Sequence, residues 1–70
     1  MAIQLELIRQ PSMGFRARRL RVSRGLTQEE LAERAGVSLE YVILLERNMP
    51  LPLDAKRRIL RELWATKTGE

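Results

Sequence analysis

The stretch QEELAERAGVSLEYVILLER, residues 28–47, decides the fold. Ala32 is small enough to let two helices approach closely, and Gly36 can adopt the positive φ that ends a helix. Val42 and Leu45 then return to the core at helical spacing. This pattern predicts two short helices that cross at a tight turn, the helix-turn-helix arrangement.

Local signals on both sides extend this unit to four helices. Each helix is expected to begin at a side chain that can cap its N-terminus: Ser12, Thr27, Ser38 and Asp54. Thr27 and Glu30 also form the T-x-x-E pattern of a capping box. Pro50 and Pro52 predict a stiff connector before the fourth helix.

Residues that favour a left-handed backbone mark the ends of the first three helices. Gly25 follows a first helix that runs to about Arg24, and Asn48 follows a third helix that runs to Arg47. The second helix spans Thr27–Ala35. The apolar side chains expected in the core are Met13, Phe15, Ala17, Leu20, Leu31, Ala35, Val42, Leu45, Ile59, Leu60, Leu63 and Trp64.

The two ends of the chain lack the helical sequence pattern of the part between them. IQLELI, residues 3–8, partly alternates between apolar and polar side chains, which suits a short β-strand. A lone strand is not stable in water, so it pairs across a dimer, packs within the monomer or stays a disordered arm. We therefore divide the chain into an N-terminal segment (1–11), a helix-turn-helix domain (12–66) and a frayed tail (67–70).

Composition excludes several classes of function. The 70 residues contain neither Cys nor His, which removes disulfides, the usual zinc sites and most acid–base and nucleophilic catalysis. We expect no catalytic residues, no metal site and no cofactor, so the protein is not expected to be an enzyme. No apolar run reaches 18 residues, and the start lacks a signal-peptide pattern. The expectation is a cytoplasmic protein without a membrane span.

The net charge of +4 is unevenly distributed. Residues 1–25 carry six arginines against one glutamate, a net charge of +5, and residues 49–70 carry +2, from five basic against three acidic side chains. Residues 26–48 carry two arginines against five glutamates, a net charge of −3. The basic flanks favour a polyanionic partner, whereas the helix-turn-helix itself is acidic.

Residues 13–47, MGFRARRLRVSRGLTQEELAERAGVSLEYVILLER, resemble the lambda-repressor-like helix-turn-helix family of Cro, phage repressors and Xre-type regulators. The most specific part is GLTQEELAERAGVS, residues 25–38. The resemblance implies an all-α, compact bundle of four to five helices. It also implies a transcriptional regulator that binds double-stranded DNA as a homodimer, with residues 38–47 as the recognition helix.

The resemblance assigns roles to individual residues. Gln28 matches a glutamine that binds a DNA phosphate, and Arg21 and Glu46 match an ion pair joining the first helix to the end of the third. Leu39, Glu40, Ile43 and Leu44 align with base-reading positions. The full set of expected DNA-binding residues is Thr27, Gln28, Ser38, Leu39, Glu40, Tyr41, Ile43, Leu44 and Arg47.

The recognition helix departs from the family in its chemistry. Leu39, Ile43 and Leu44 replace side chains that form hydrogen bonds with base edges, and apolar groups can contact only a thymine methyl. An alternative function is therefore a protein-interaction module, in which these residues form an exposed apolar patch with Met49 and Leu51. In a third interpretation, the N-terminal segment or the extra apolar length of the fourth helix covers the same residues, which then carry no function.

Overall fold

A computed structural model describes residues 12–65, which form four α-helices. They are α1 (Met13–Ser23), α2 (Gln28–Ala35), α3 (Leu39–Glu46) and α4 (Leu53–Ala65). The expected all-α bundle is confirmed. Residues 3–8, for which three arrangements were expected, lie outside the described residues, and so does the tail. The division of the chain into three parts stays a prediction.

Side chains cap the N-termini of α1 and α2 as expected. The Ser12 hydroxyl accepts a hydrogen bond from the Phe15 amide at 3.2 Å. The capping box of α2 is complete: the Glu30 amide donates to Thr27 Oγ1 at 3.0 Å, and the Thr27 amide donates to Glu30 Oε1 at 2.9 Å. These bonds satisfy backbone donors that have no partner within the helix.

The expected N-cap position of Ser38 is confirmed without its side-chain hydrogen bond, and the expected cap at Asp54 is wrong. Ser38 stands at the N-cap of α3, but its side chain makes no capping hydrogen bond. Asp54 lies inside the first turn of α4, because the helix already begins at Leu53 and the Pro52 carbonyl accepts its first helical hydrogen bond, from the Lys56 amide at 3.0 Å. The Asp54 carboxylate instead pairs with Arg58 at 3.1 Å, one turn further along the helix.

The helix ends follow the expected left-handed positions. Gly36 has φ +73° and Asn48 has φ +60°. After Gly36, the Val37 amide returns to the Ala32 carbonyl at 3.0 Å, and the corresponding bond after Asn48 joins Met49 to Leu44 at 2.9 Å. Both hydrogen bonds provide a donor for a carbonyl in the last turn of their helix, and the chain turns sharply after each helix.

Side chains from all four helices form one core. The buried cluster consists of Ala17, Leu31, Ala32, Val42, Leu45, Ile59 and Leu63. The placement of Met13 and Phe15 in this core was wrong, because their side chains are 39% and 48% exposed. The buried positions of α1 are Ala17, as expected, and Gly14, and both are small enough for the helix to lie close to α3.

The side chain of Asn48, just after α3, forms hydrogen bonds with the start of α1. Its Oδ1 accepts from the Gly14 amide at 3.0 Å, and its Nδ2 donates to Ser12 Oγ at 3.1 Å. The side chain therefore caps the first turn of α1 through an amide 34 residues before it in the sequence.

We expect Asn48→Ala to destabilise the domain by about 2 kcal/mol, because it removes this cap and strains a left-handed backbone. Asn48→Gly removes the same hydrogen bonds without the backbone strain and should cost only about 1 kcal/mol. Urea unfolding of the two variants separates the contributions. Equal losses would show that the left-handed conformation carries no strain at this position.

Candidate nucleic-acid interface

Helices α2 and α3 form the helix-turn-helix unit. Ala32 is 4% exposed and Val42 is fully buried, so small and β-branched side chains fill the space where the helices cross. The left-handed Gly36 ends α2, and only two residues separate it from the start of α3. The turn thereby fixes the direction in which α3 leaves α2.

A polar cluster around one carboxylate holds this unit against α1. Glu46 Oε2 accepts from Arg21 Nε at 2.6 Å, and Glu46 Oε1 accepts from Arg21 Nη2 at 3.1 Å. The Arg21 side chain is 11% exposed and the Glu46 side chain is 5% exposed. Arg21 Nη1 also donates to the Leu26 carbonyl at 2.9 Å, so the guanidinium joins α1, α3 and the loop before α2.

Gln28 belongs to the same cluster. Its Nε2 donates to Glu46 Oε1 at 3.1 Å, which ties the first residue of α2 to the last residue of α3. Its phosphate-binding role stays a prediction. The bond to Glu46 uses one N–H of the amide, and the group has a second N–H donor.

The expected DNA-binding residues divide by exposure. Thr27, Ser38, Glu40 and Arg47 are exposed. The half-buried members of the set are Gln28, Leu39, Tyr41, Ile43 and Leu44. The exposed groups therefore bring two hydroxyls, one carboxylate and one guanidinium to the surface of α2 and α3.

The apolar patch expected on α3 is smaller than the sequence suggests. Leu39 and Leu51 pack against the core cluster, because the turn and the Pro-rich connector bring them inward. Ile43 and Leu44 are half-buried. Met49, just after α3, is 49% exposed.

Two residues outside the expected set position the unit. An added Cβ at Gly14 would lie 2.7 Å from the carbonyl oxygens of both Leu45 and Glu46, so only glycine allows this approach of α1 to α3. Asn48 supplies the cap described above. A glycine within a helical pattern is a sequence signal of close packing, but the cap by Asn48 has no local signal.

The described residues carry no helix long and apolar enough to cross a membrane. A four-helix bundle with a rigid helix-turn-helix fastened to its first helix defines a class of DNA-binding domain. A family model described as "Helix-turn-helix" matches residues 18–56, more than half of the chain. The chain belongs to this family, the Cro/C1-type helix-turn-helix proteins of lambda-repressor-like and Xre-type regulators. No curated protein and no solved structure matches the chain.

Proposed function

We propose that the protein binds double-stranded DNA with α3 in the major groove and the start of α2 at the phosphate backbone. Membership of a DNA-binding helix-turn-helix family supports this proposal. The observation that carries it is the Arg21–Glu46–Gln28 cluster, which fixes α3 relative to α1 and α2 before any ligand binds. A preorganised helix loses little entropy when it enters the groove.

Binding as a dimer is part of the proposal. Two copies would place their α3 helices in half-sites about 34–36 Å apart. Among the expected residues, Leu39, Glu40, Ile43 and Leu44 would face base edges, and Thr27, Gln28, Ser38 and Tyr41 would help to position the domain on the duplex.

Binding to mixed-sequence duplex DNA, measured as a function of salt, tests the proposal. Affinity should fall steeply with salt, since binding releases counterions from the phosphates. Absence of binding at about 50 mM salt would contradict it. The measurement needs no knowledge of the operator sequence.

A variant of Glu40 on α3 and one of Arg47 at its C-cap should move DNA affinity in opposite directions. Arg47→Gln removes the exposed cation at the end of the helix and should lower the log–log salt slope by about one. Glu40→Gln removes an exposed carboxylate and should raise affinity for mixed-sequence DNA, because the carboxylate repels phosphate.

Arg58→Gln is the matched control for Arg47→Gln. Arg58 lies on α4 and already pairs with Asp54, so its removal should leave the slope close to that of the unchanged protein. Equal slopes for the Arg47 and Arg58 variants would remove α3 from the proposed interface.

The exposure of Met49 favours a second candidate, a protein-interaction module that uses the end of α3. Leu44→Glu tests it because Leu44 is half-buried next to this end. Loss of a partner or of self-association with unchanged DNA affinity would support the module. Loss of DNA affinity alone would assign Leu44 to the DNA interface.

A further inference from the structure

The domain carries two grooves of opposite charge on different helices. The basic groove lies between α1 and α4. Its lining consists of three apolar side chains and three arginines: Met13, Leu60, Trp64, Arg16, Arg57 and Arg61. The arginines are exposed, while Leu60 and Trp64 are half-buried.

The acidic groove lies along α2 and the turn into α3. Its lining consists of three glutamates around three apolar side chains: Glu29, Glu30, Glu33, Ala32, Val37 and Leu39. All three glutamates are exposed. The two grooves share no residue, so each is available while the other is occupied.

Both grooves combine an apolar floor with a rim of one charge. DNA could pair with the arginines of the basic groove, but its phosphates would leave Met13, Leu60 and Trp64 uncovered. A protein surface with carboxylates around an apolar strip fits both features, because apolar contact supplies affinity and opposite charges supply orientation. The acidic groove of this chain has that composition.

We propose that the basic groove of one copy binds the acidic groove of a second copy. Arg16, Arg57 and Arg61 face Glu29, Glu30 and Glu33, and the apolar floors meet between them. The contact joins unlike surfaces, so each bound pair retains one free groove of each charge unless the two copies close into a ring.

The two charged rims make the contact salt-dependent. Exposed charges are screened over about 8 Å at physiological ionic strength, so association should weaken as salt rises. Each groove is small, which places the contact in the class of weak, transient interfaces. Self-association should therefore appear only at high protein concentration and low salt.

Neutralised variants of the full chain test the pairing of unlike surfaces. The acid-neutral variant carries Glu29→Gln and Glu33→Gln, and the base-neutral variant carries Arg57→Gln and Arg61→Gln. All four positions are exposed, so both variants should retain the helical circular dichroism of the unchanged protein. By sedimentation, each variant alone should stay monomeric where the unchanged protein associates, and an equimolar mixture should regain association.

Trp64 reports on the contact directly, because it is the only tryptophan of the chain and lines the basic groove. The acid-neutral variant keeps this groove intact. Titrating it with a base-neutral variant that also carries Trp64→Phe should shift its emission to the blue, and added salt should reverse the shift. The control titrant carries both neutralised pairs and Trp64→Phe, and should cause no shift.

Several results would overturn the proposal. No concentration-dependent association of the unchanged protein, or association that survives in either neutralised variant alone, would do so. An emission shift caused by the control titrant would also overturn the proposal. It would mean that a part of the titrant other than its acidic groove binds the basic groove. The measurements contain no DNA, so their failure leaves the proposed DNA binding untouched.

Discussion

Glu46→Gln should lower the free energy of unfolding by about 3 kcal/mol, because it leaves a nearly buried guanidinium without its counter-charge. Arg21 makes two hydrogen bonds to this carboxylate, and both side chains are close to fully buried. The glutamine amide keeps the shape of Glu46 but turns an N–H group toward donors. Urea unfolding of the variant gives the loss, and the thermal midpoint should fall with it.

Glu40→Gln is the matched control for this loss. It makes the same chemical change on the same helix at an exposed position and should alter stability by less than about 0.5 kcal/mol. An unchanged melting temperature for Glu46→Gln would show that the ion pair does not stabilise the bundle.

The double variant Arg21→Met/Glu46→Leu separates an orphaned charge from the intrinsic value of the pair. Replacing a buried ion pair by apolar groups of similar size is often neutral or stabilising, whereas removal of one partner is costly. We therefore expect the double variant to be more stable than Glu46→Gln. It still lacks the acceptor for Gln28, so its DNA affinity should stay below that of the unchanged protein.

Short-range features of the fold could be predicted from the sequence because their partners are a few residues apart. The capping box joins Thr27 to Glu30, and Gly36 adopts its positive φ. Each requires only a residue type at a fixed offset. The same local reasoning failed at Asp54, because α4 begins before it, at Leu53, and the Pro52 carbonyl accepts the first helical hydrogen bond.

Apart from the Arg21–Glu46 pair, which the resemblance implied, contacts between distant residues needed the structure. Gln28 reaches Glu46 across 18 residues, and Asn48 reaches Gly14 across 34. The family resemblance assigned Gln28 to a phosphate, and residue type assigned Asn48 to the end of a helix. Helical periodicity likewise placed Met13 and Phe15 in the core, whereas the close approach at Gly14 leaves them exposed.

Gly14→Ala should destabilise the domain by about 2 kcal/mol, although alanine favours helices over glycine by about 1 kcal/mol. Its Cβ would lie 2.7 Å from the carbonyl oxygens of Leu45 and Glu46. These are backbone atoms at the end of α3, so α1 itself must move. That movement would lengthen the hydrogen bond from the Gly14 amide to Asn48 Oδ1, which is 3.0 Å.

A Cβ at this position also acts on the polar cluster. Gly14, Ala17 and Arg21 lie on one face of α1, at the helical spacing of three and four residues. A tilt of α1 away from α3 at Gly14 should therefore strain the bond between Arg21 and Glu46, two turns away. DNA affinity should fall together with stability, because the same contacts fix α3.

Gly25→Ala is the control that separates the cost of a steric contact of the added Cβ from the cost of a left-handed backbone. Gly25 has φ +71°, and an added Cβ there would meet no atom within 4 Å, so the substitution should cost only the left-handed strain of about 1 kcal/mol. Gly14→Ser should cost as much as Gly14→Ala, since the first side-chain atom already makes the close contact. Equal losses at Gly14 and Gly25, or a gain for Gly14→Ala, would show that α1 can move off α3 without cost. In that case Asn48 and the Arg21–Glu46 pair would have to hold the two helices together by themselves.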